Sequence, residues 1–288
     1  MLGIFLVLLG GIFWAISGAL AQYLFKNNLN AEQISFYRLF FTGILLIIFS
    51  FNTQKIKLFT SKKEIVSLII FGFFGLLLTQ YSYFKAIFYT DAGTATMIQY
   101  CAPVIIMIFV CFKEKVFPKM LEILALILIL IALFLLATGG KIDSLNLNFW
   151  GIFWGILGAF GVVFYSLCAR AIILKYGLFF VMGYASLFGS FVLLVFLGGE
   201  LSSYKFELDS FLAILGIIFI GTIGAFYFYL EGLKHIGALR ASMIACIEPV
   251  MAALISYLFL GTFYSYLDLF AFSLIILSVI LNAQIQGK

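Results

Sequence analysis

The chain has 288 residues, of which 65% are hydrophobic and 10% charged. A soluble domain carries about 25% charged residues, so no water-facing fold covers this much apolar surface and lipid must be the solvent for most of it. The segments between apolar runs are too short for a separate soluble catalytic domain. The net charge of +5 is a matter of loop placement and does not point to nucleic acid.

A spanning helix needs about 20 mostly apolar residues and must satisfy its backbone internally. Ten such runs follow in chain order, at 3–25, 32–51, 65–84, 92–111, 120–138, 149–169, 178–197, 211–230, 238–258 and 264–283. The fold class is therefore an all-α integral membrane protein with ten transmembrane helices. The first run lacks a basic leader and exceeds the apolar stretch of a signal peptide, so it is read as a span. Cys101, Cys111, Cys168 and Cys246 lie in or beside spans without metal or disulfide spacing and read as packing residues. No metal and no cofactor is expected.

Orientation follows from Lys and Arg. With the N-terminus inside, twelve fall on the inner side: Lys55, Lys57, Lys62, Lys63, Lys113, Lys115, Lys119, Arg170, Lys175, Lys234, Arg240 and Lys288. Five remain outside: Lys26, Arg38, Lys85, Lys141 and Lys205. Both termini are expected in the cytoplasm. The compact loops and the lack of an organelle leader point to a bacterial inner membrane.

The chain also repeats itself. Gly11-Ile12-Phe13-Trp14 recurs as Gly151-Ile152-Phe153-Trp154, and Ile16, Gly18 and Ala19 match Ile156, Gly158 and Ala159. At a spacing of 146 residues, Gly75 matches Gly221 and Tyr83 matches Tyr229. At that same spacing Ala92, Ala95, Met97 and Ile98 match Ala238, Ala241, Met243 and Ile244, and Pro103-Val104 matches Pro249-Val250. Two halves, 1–140 and 141–288, thus hold five spans each. An odd number inverts the second half relative to the first, the arrangement of secondary transporters whose sites lie near the midplane.

Candidate site residues come from the polar and aromatic positions inside these spans. Pro103 and Pro249 each remove a helical hydrogen bond and free the carbonyl four residues earlier, on Gln99 and Ala245. They are read as hinge or gating positions in two bent helices. Glu248 is an acid near the centre of the ninth span, where a charge costs roughly 3 kcal/mol. It either carries a proton or meets a cationic group, or stays neutral and satisfies a freed backbone group. Thr96, Gln99 and Tyr100 on the fourth span, and Thr79, Gln80 and Tyr83 on the third, add hydrogen-bonding groups. Tyr165, Tyr227, Trp14 and Trp154 supply amphipathic aromatic surface suited to a binding pocket. Tyr229 reads better as an interfacial aromatic. Lys85, Glu231, His235 and Arg240 fall at span ends, and Arg38 is expected to snorkel outward, with a structural ion pair as the alternative.

These residues resemble a known family. Tyr83-Phe84-Lys85-Ala86-Ile87, Ala92, Ala95, Tyr100-Cys101-Ala102-Pro103-Val104 and Glu114 are similar to the first repeat of EamA-type transporters of the drug/metabolite transporter superfamily. Arg38 falls where that family often has an arginine. Gly232-Leu233-Lys234, Ile236-Gly237-Ala238, Ala241-Ser242, Glu248-Pro249-Val250 and Leu260-Gly261 resemble the second repeat. Thr262 replaces the acid expected after Leu260-Gly261. The resemblance implies a ten-helix bundle whose central pocket is lined by spans one, three, four, six, eight and nine. It also implies movement of amino acids, other metabolites or toxic compounds, often outward.

The expected function is secondary active export of a small metabolite, such as an amino acid or related amphipathic compound, by alternating access. The partners would be that solute, the lipid bilayer and, as a candidate, a coupling proton. No Walker A pattern appears, so ATP is not the expected driver. The alternative is an intramembrane enzyme acting on a hydrophobic or lipid substrate, for which the residues supply no obvious nucleophile and base.

Overall fold

The computed structural model describes residues 1–53, 62–90, 92–141, 148–197, 207–260 and 263–284. Among them, ten helices are long and apolar enough to cross a bilayer. They are α1 (Leu2–Lys26), α2 (Ala31–Thr53), α3 (Lys62–Tyr89), α4 (Ala92–Gln99 and Ala102–Glu114) and α5 (Met120–Thr138). The second half holds α6 (Phe149–Tyr176), α7 (Leu178–Leu197), α8 (Leu208–Ile236), α9 (Ala238–Ala245 and Glu248–Leu260) and α10 (Tyr266–Gln284). Lys55, Lys57, Lys205, Gly261, Thr262 and Lys288 lie outside the described residues.

The third, sixth and eighth helices run past the ends expected from hydropathy, and charges within their added turns are paired. Lys85 forms an ion pair with Glu32 of α2, and Lys234 pairs with Glu231 one turn earlier on α8. Near the end of α6, Lys175 pairs with Glu64 of α3. Lys85 therefore does not simply snorkel: its ammonium also lies 5.6 Å from the ring centre of Phe88.

Small residues set the helix pairs, as expected where lipid removes most of the hydrophobic drive between helices. On α8, a Cβ at Gly232 would fall 2.7 Å from the Gly3 carbonyl and 2.6 Å from Val7, so α1 and α8 touch backbone to backbone. Gly10 faces Tyr229 and Gly216 faces Leu20, so the two helices run antiparallel. The α3–α6 pair is built the same way: a Cβ at Gly161 would fall 2.3 Å from Thr79 Oγ1. Gly43 and Gly183 seat α2 against α7. At the periphery α10 packs on α5, where Ser278 Oγ donates to the Ala125 carbonyl at 2.9 Å. Leu121, Leu124, Ile127, Ile131, Leu277 and Ile280 remain exposed on that pair, a face for lipid.

Two helices widen into a π turn, α3 over Phe71–Leu77 and α8 over Phe219–Gly224. The matched glycines Gly75 and Gly221 sit within them. Such turns shift the helical register and gather at functional sites. Two other helices are interrupted, α4 at Tyr100–Cys101 and α9 at Cys246–Ile247. Both breaks fall between the carbonyls expected to be freed, on Gln99 and Ala245, and the prolines themselves. Pro103 and Pro249 are the second residues of new helical segments starting at Ala102 and Glu248. A first turn tolerates proline because its N–H would have no helical partner there.

Close backbone contact at Gly232 and Gly161 makes a size prediction. Gly232→Leu and Gly161→Leu should each destabilise the bundle by at least about 1–3 kcal/mol, the usual cost of overpacking. The check is the thermal midpoint of detergent-solubilised protein, which should fall for both variants.

Candidate functional site

Where the interrupted helices meet the two π turns, the bundle encloses a chamber. It is lined from α1 by Trp14 and Gly18, from α2 by Arg38, and from α3 by Thr79, Gln80 and Tyr83. Gln99, Tyr100 and Pro103 of α4, Tyr165 of α6, Phe226 and Tyr229 of α8, and Glu248 of α9 complete the wall. The free space for water-sized molecules is about 70 Å³, room for a few waters.

Helix register explains why these side chains converge. Tyr83 lies four residues after Thr79 and three after Gln80, so the three share one face of α3. The α4 break turns Tyr100 toward α9. Its hydroxyl lies 3.0 Å from the Ala245 carbonyl and 2.7 Å from Glu248 Oε2. The carbonyl freed by Pro249 is thus met from the other half of the chain. Tyr83 shares a 3.0 Å hydrogen bond with Thr96. Gln80 is 3% exposed, and among the described residues neither its amide nitrogen nor its oxygen has a partner.

Aromatic rings form the wall on the α8 side. Trp14 meets Phe226 edge-on at 5.4 Å and lies 5.0 Å from Tyr229. Tyr165 meets both Phe226 and Tyr229 edge-on. The reading of Tyr229 as an interfacial aromatic is corrected: it is fully buried and hydrogen-bonded to Ser166 at 3.0 Å.

Arg38 requires a larger correction. It does not snorkel outward but is 5% exposed, aimed inward at the π turn of α8. Its Nε donates to Thr222 Oγ1 at 2.6 Å and its Nη2 to the Gly221 carbonyl at 2.8 Å. Thr222 Oγ1 in turn donates to the Ile217 carbonyl at 2.9 Å, five residues back, in π register. The π turn therefore offers Arg38 one backbone carbonyl, on Gly221, and Thr222 adds its side-chain oxygen. Hydropathy carried no signal for this, since an arginine two turns into a span looks the same whether it snorkels or is caught.

Four predicted site residues do not line the chamber: Thr96 and Pro249 line an adjoining cleft, and Trp154 and Tyr227 line neither. Trp154 packs edge-on against Tyr81 at 5.3 Å, and Tyr227 stacks on Phe179 at 5.8 Å with 37% exposure. Tyr227 and the chamber residue Phe226 are neighbours in sequence and so point to different faces of α8. Thr96 reaches the chamber only through Tyr83.

A cleft adjoins the chamber on each side. One, of about 610 Å³, leads toward Lys26 and shares Gly18, Tyr83 and Glu248 with the chamber. The other, of about 570 Å³, lies among Lys113, Glu114, Lys119 and Arg240. Ser166 lines this second cleft and Tyr229 the chamber, so their hydrogen bond stands in the wall between the two.

Comparison with known proteins agrees with this architecture. The model of the EamA-like transporter family matches residues 1–138 and again residues 149–284. A protein of Salmonella typhimurium named as the uncharacterized inner membrane transporter YicL is 34% identical over 282 residues, covering 97% of this chain and 94% of that protein. An Archaeoglobus fulgidus protein named as an uncharacterized transporter is 28% identical over 242 residues, covering 82% of each. A solved crystal structure superposes with a TM-score of 0.78 at 16% identity, covering 97% of this chain and 95% of the other. That similarity concerns the fold alone. With the family matched over nearly its whole length and ten apolar helices to carry it, the chain belongs to the EamA-like transporter family.

Proposed function

We propose that the protein is a secondary transporter that exports a small zwitterionic or amphipathic metabolite, such as an amino acid or a relative, by alternating access around the chamber. The observation that carries the reading is the pair of opposite charges in one aromatic-walled chamber. Arg38 and Glu248 both line it, yet among the described residues they form no ion pair with each other. Buried charges inside a membrane are expensive unless paired or facing a cavity. A solute with a carboxylate and an ammonium, and a hydrophobic body for Trp14, Tyr165 and Phe226, would match both ends.

The two halves, 1–140 and 141–288, are proposed as inverted repeats. Matched π turns, matched helix breaks and the equivalent antiparallel pairings α1–α8 and α6–α3 support this, as does a family match falling once in each half. Lys and Arg placement supports cytoplasmic termini. The chamber is then continuous with the outer cleft through Gly18, Tyr83 and Glu248, and closed from the inner one by Ser166 and Tyr229. The breaks in α4 and α9 would serve as hinges. A bacterial inner membrane location rests on the loops and on the name of the Salmonella relative, and export rests on the family resemblance.

A coupling proton would be carried by Glu248. In proteoliposomes, a panel of amino acids, amines and nucleosides should identify a solute whose uptake follows an imposed pH gradient. Glu248→Gln should reduce gradient-driven uptake to the level of empty liposomes while sparing solute exchange; unchanged gradient-driven uptake would remove the proton role.

Gly18 gives an independent check on the route. It lines both chamber and outer cleft, and a Cβ there would meet nothing within 4 Å. Gly18→Leu should fold with an unchanged thermal midpoint and yet block flux. Full flux through a well-folded Gly18→Leu protein would place the route elsewhere.

A further inference from the structure

The hydroxyl of Tyr100 has one proton and faces two acceptors, Glu248 Oε2 at 2.7 Å and the Ala245 carbonyl at 3.0 Å. The second acceptor is special. In a continuous helix its donor would be the N–H of residue 249, and that residue is proline. In lipid no bulk water takes over that role. We propose that Tyr100 relays the protonation state of Glu248 to the α9 break, deciding whether the Ala245 carbonyl is satisfied by the protein or presented to the chamber. This deepens the reading of Glu248 as the coupling group and rests on it.

The relay follows from counting protons. When Glu248 is ionised, the Tyr100 proton goes to the carboxylate, because a charge-assisted bond is the stronger of the two. The Ala245 carbonyl is then left without a donor, beside a negative charge, and the two together suit an incoming ammonium group. When Glu248 is protonated, its own O–H donates to the Tyr100 oxygen. Tyr100 then turns its proton to the Ala245 carbonyl, and all three groups are satisfied internally. The proton that leaves Glu248 in the reverse step passes to water in the cleft on the Lys26 side, which Glu248 also lines. No heavy atom has to move far. One proton thereby changes both the charge at Glu248 and the bonding of the carbonyl that borders the break.

Other elements around Glu248 do not duplicate this. Arg38 of α2, Tyr83 of α3, Tyr165 of α6 and Cys246 of α9 are within electrostatic reach. From α1, the chamber receives Trp14, Ser17 and Gly18, none of them titratable. Among these groups Tyr100 has the hydrogen bond to the carboxylate and also bridges to the break. In the 146-residue spacing, Tyr100 corresponds to Cys246 and Glu248 to Ala102. The device therefore has no counterpart at the α4 break.

The test uses infrared difference spectroscopy on the full-length protein in liposomes, titrated from about pH 5 to about pH 9, which brackets perturbed carboxyl groups. Wild type should show a protonated-carboxyl band that Glu248→Gln removes. A tyrosine C–O band should titrate with it in wild type and vanish in Glu248→Gln. In Tyr100→Phe, the carboxyl band should move in wavenumber because its O–H has lost its acceptor, and its midpoint pH should change. A Tyr100→Phe carboxyl band superimposable on wild type would overturn the relay. So would the absence of any tyrosine band that titrates with the carboxyl, a result read on wild type whether or not the variant folds. Solute flux by a protein lacking both bands would sink the relay while leaving transport standing. The bands without flux of any solute would do the reverse.

Discussion

A bilayer interior offers no water to a carbonyl or a charge, so each polar group the fold exposes there must find a partner inside the protein or face a cavity. That constraint organises the centre of the molecule. Two helix breaks and two π turns release backbone oxygens at mid-bundle, and side chains from distant parts of the chain come to meet them. Arg38 of α2 takes the Gly221 carbonyl of the α8 π turn, and Tyr100 of α4 reaches the Ala245 carbonyl at the α9 break. Each of these bonds ties the first half of the chain to the second. The irregular backbone is therefore also what joins the halves around the chamber.

Close helix packing makes such precision possible. Between apolar helices in lipid, attraction comes mainly from van der Waals contact, and small residues let backbones approach. Gly232 against Gly3 and Val7, and Gly161 against Thr79, hold α1–α8 and α3–α6 at contact distance. Those four helices carry most of the chamber wall. Where a glycine is not pressed by a neighbour, as at Gly18, open space results instead, and that space lies on the boundary between chamber and cleft. The same residue type thus seals the bundle in one place and opens it in another, depending on what stands opposite.

Much of this was legible in the sequence. Ten apolar runs located the helices, because length and composition nearly decide the matter in lipid. Ordered matches between the halves marked the glycines of both π turns and the prolines beside both breaks. Nine of the predicted positions that line the chamber were recognisable as polar or aromatic groups, or a proline, inside spans. What stayed hidden depended on rotation and on pairing across the chain. Tyr227 and Tyr229 look alike in sequence, yet one faces outward and the other hydrogen-bonds Ser166 at the core. Trp154 matches Trp14 in the sequence alignment of the halves but packs on Tyr81. Arg38 was misread because its partners are oxygens of a π turn 183 and 184 residues away. No local pattern announces such a turn.

The differences between the two halves bear on function. If the halves arose from one unit, the backbone features are what both kept, and the chemistry is where they diverged. Gly75 and Gly221 occupy matched π turns, but the Gly75 carbonyl accepts from Thr79 one turn away, whereas the Gly221 carbonyl accepts from a buried arginine. The breaks at Tyr100–Cys101 and Cys246–Ile247 are matched too, yet Glu248 stands beside the second and Ala102 at the corresponding place beside the first. Matched breaks suit a motion in which the halves exchange roles. In the proposed alternating motion, an acid on one side alone would give a polarity, since the two states would then differ in how the charge is met. Symmetric scaffold and asymmetric charge are thus separate requirements, and motifs that identify the scaffold carry little information about the solute.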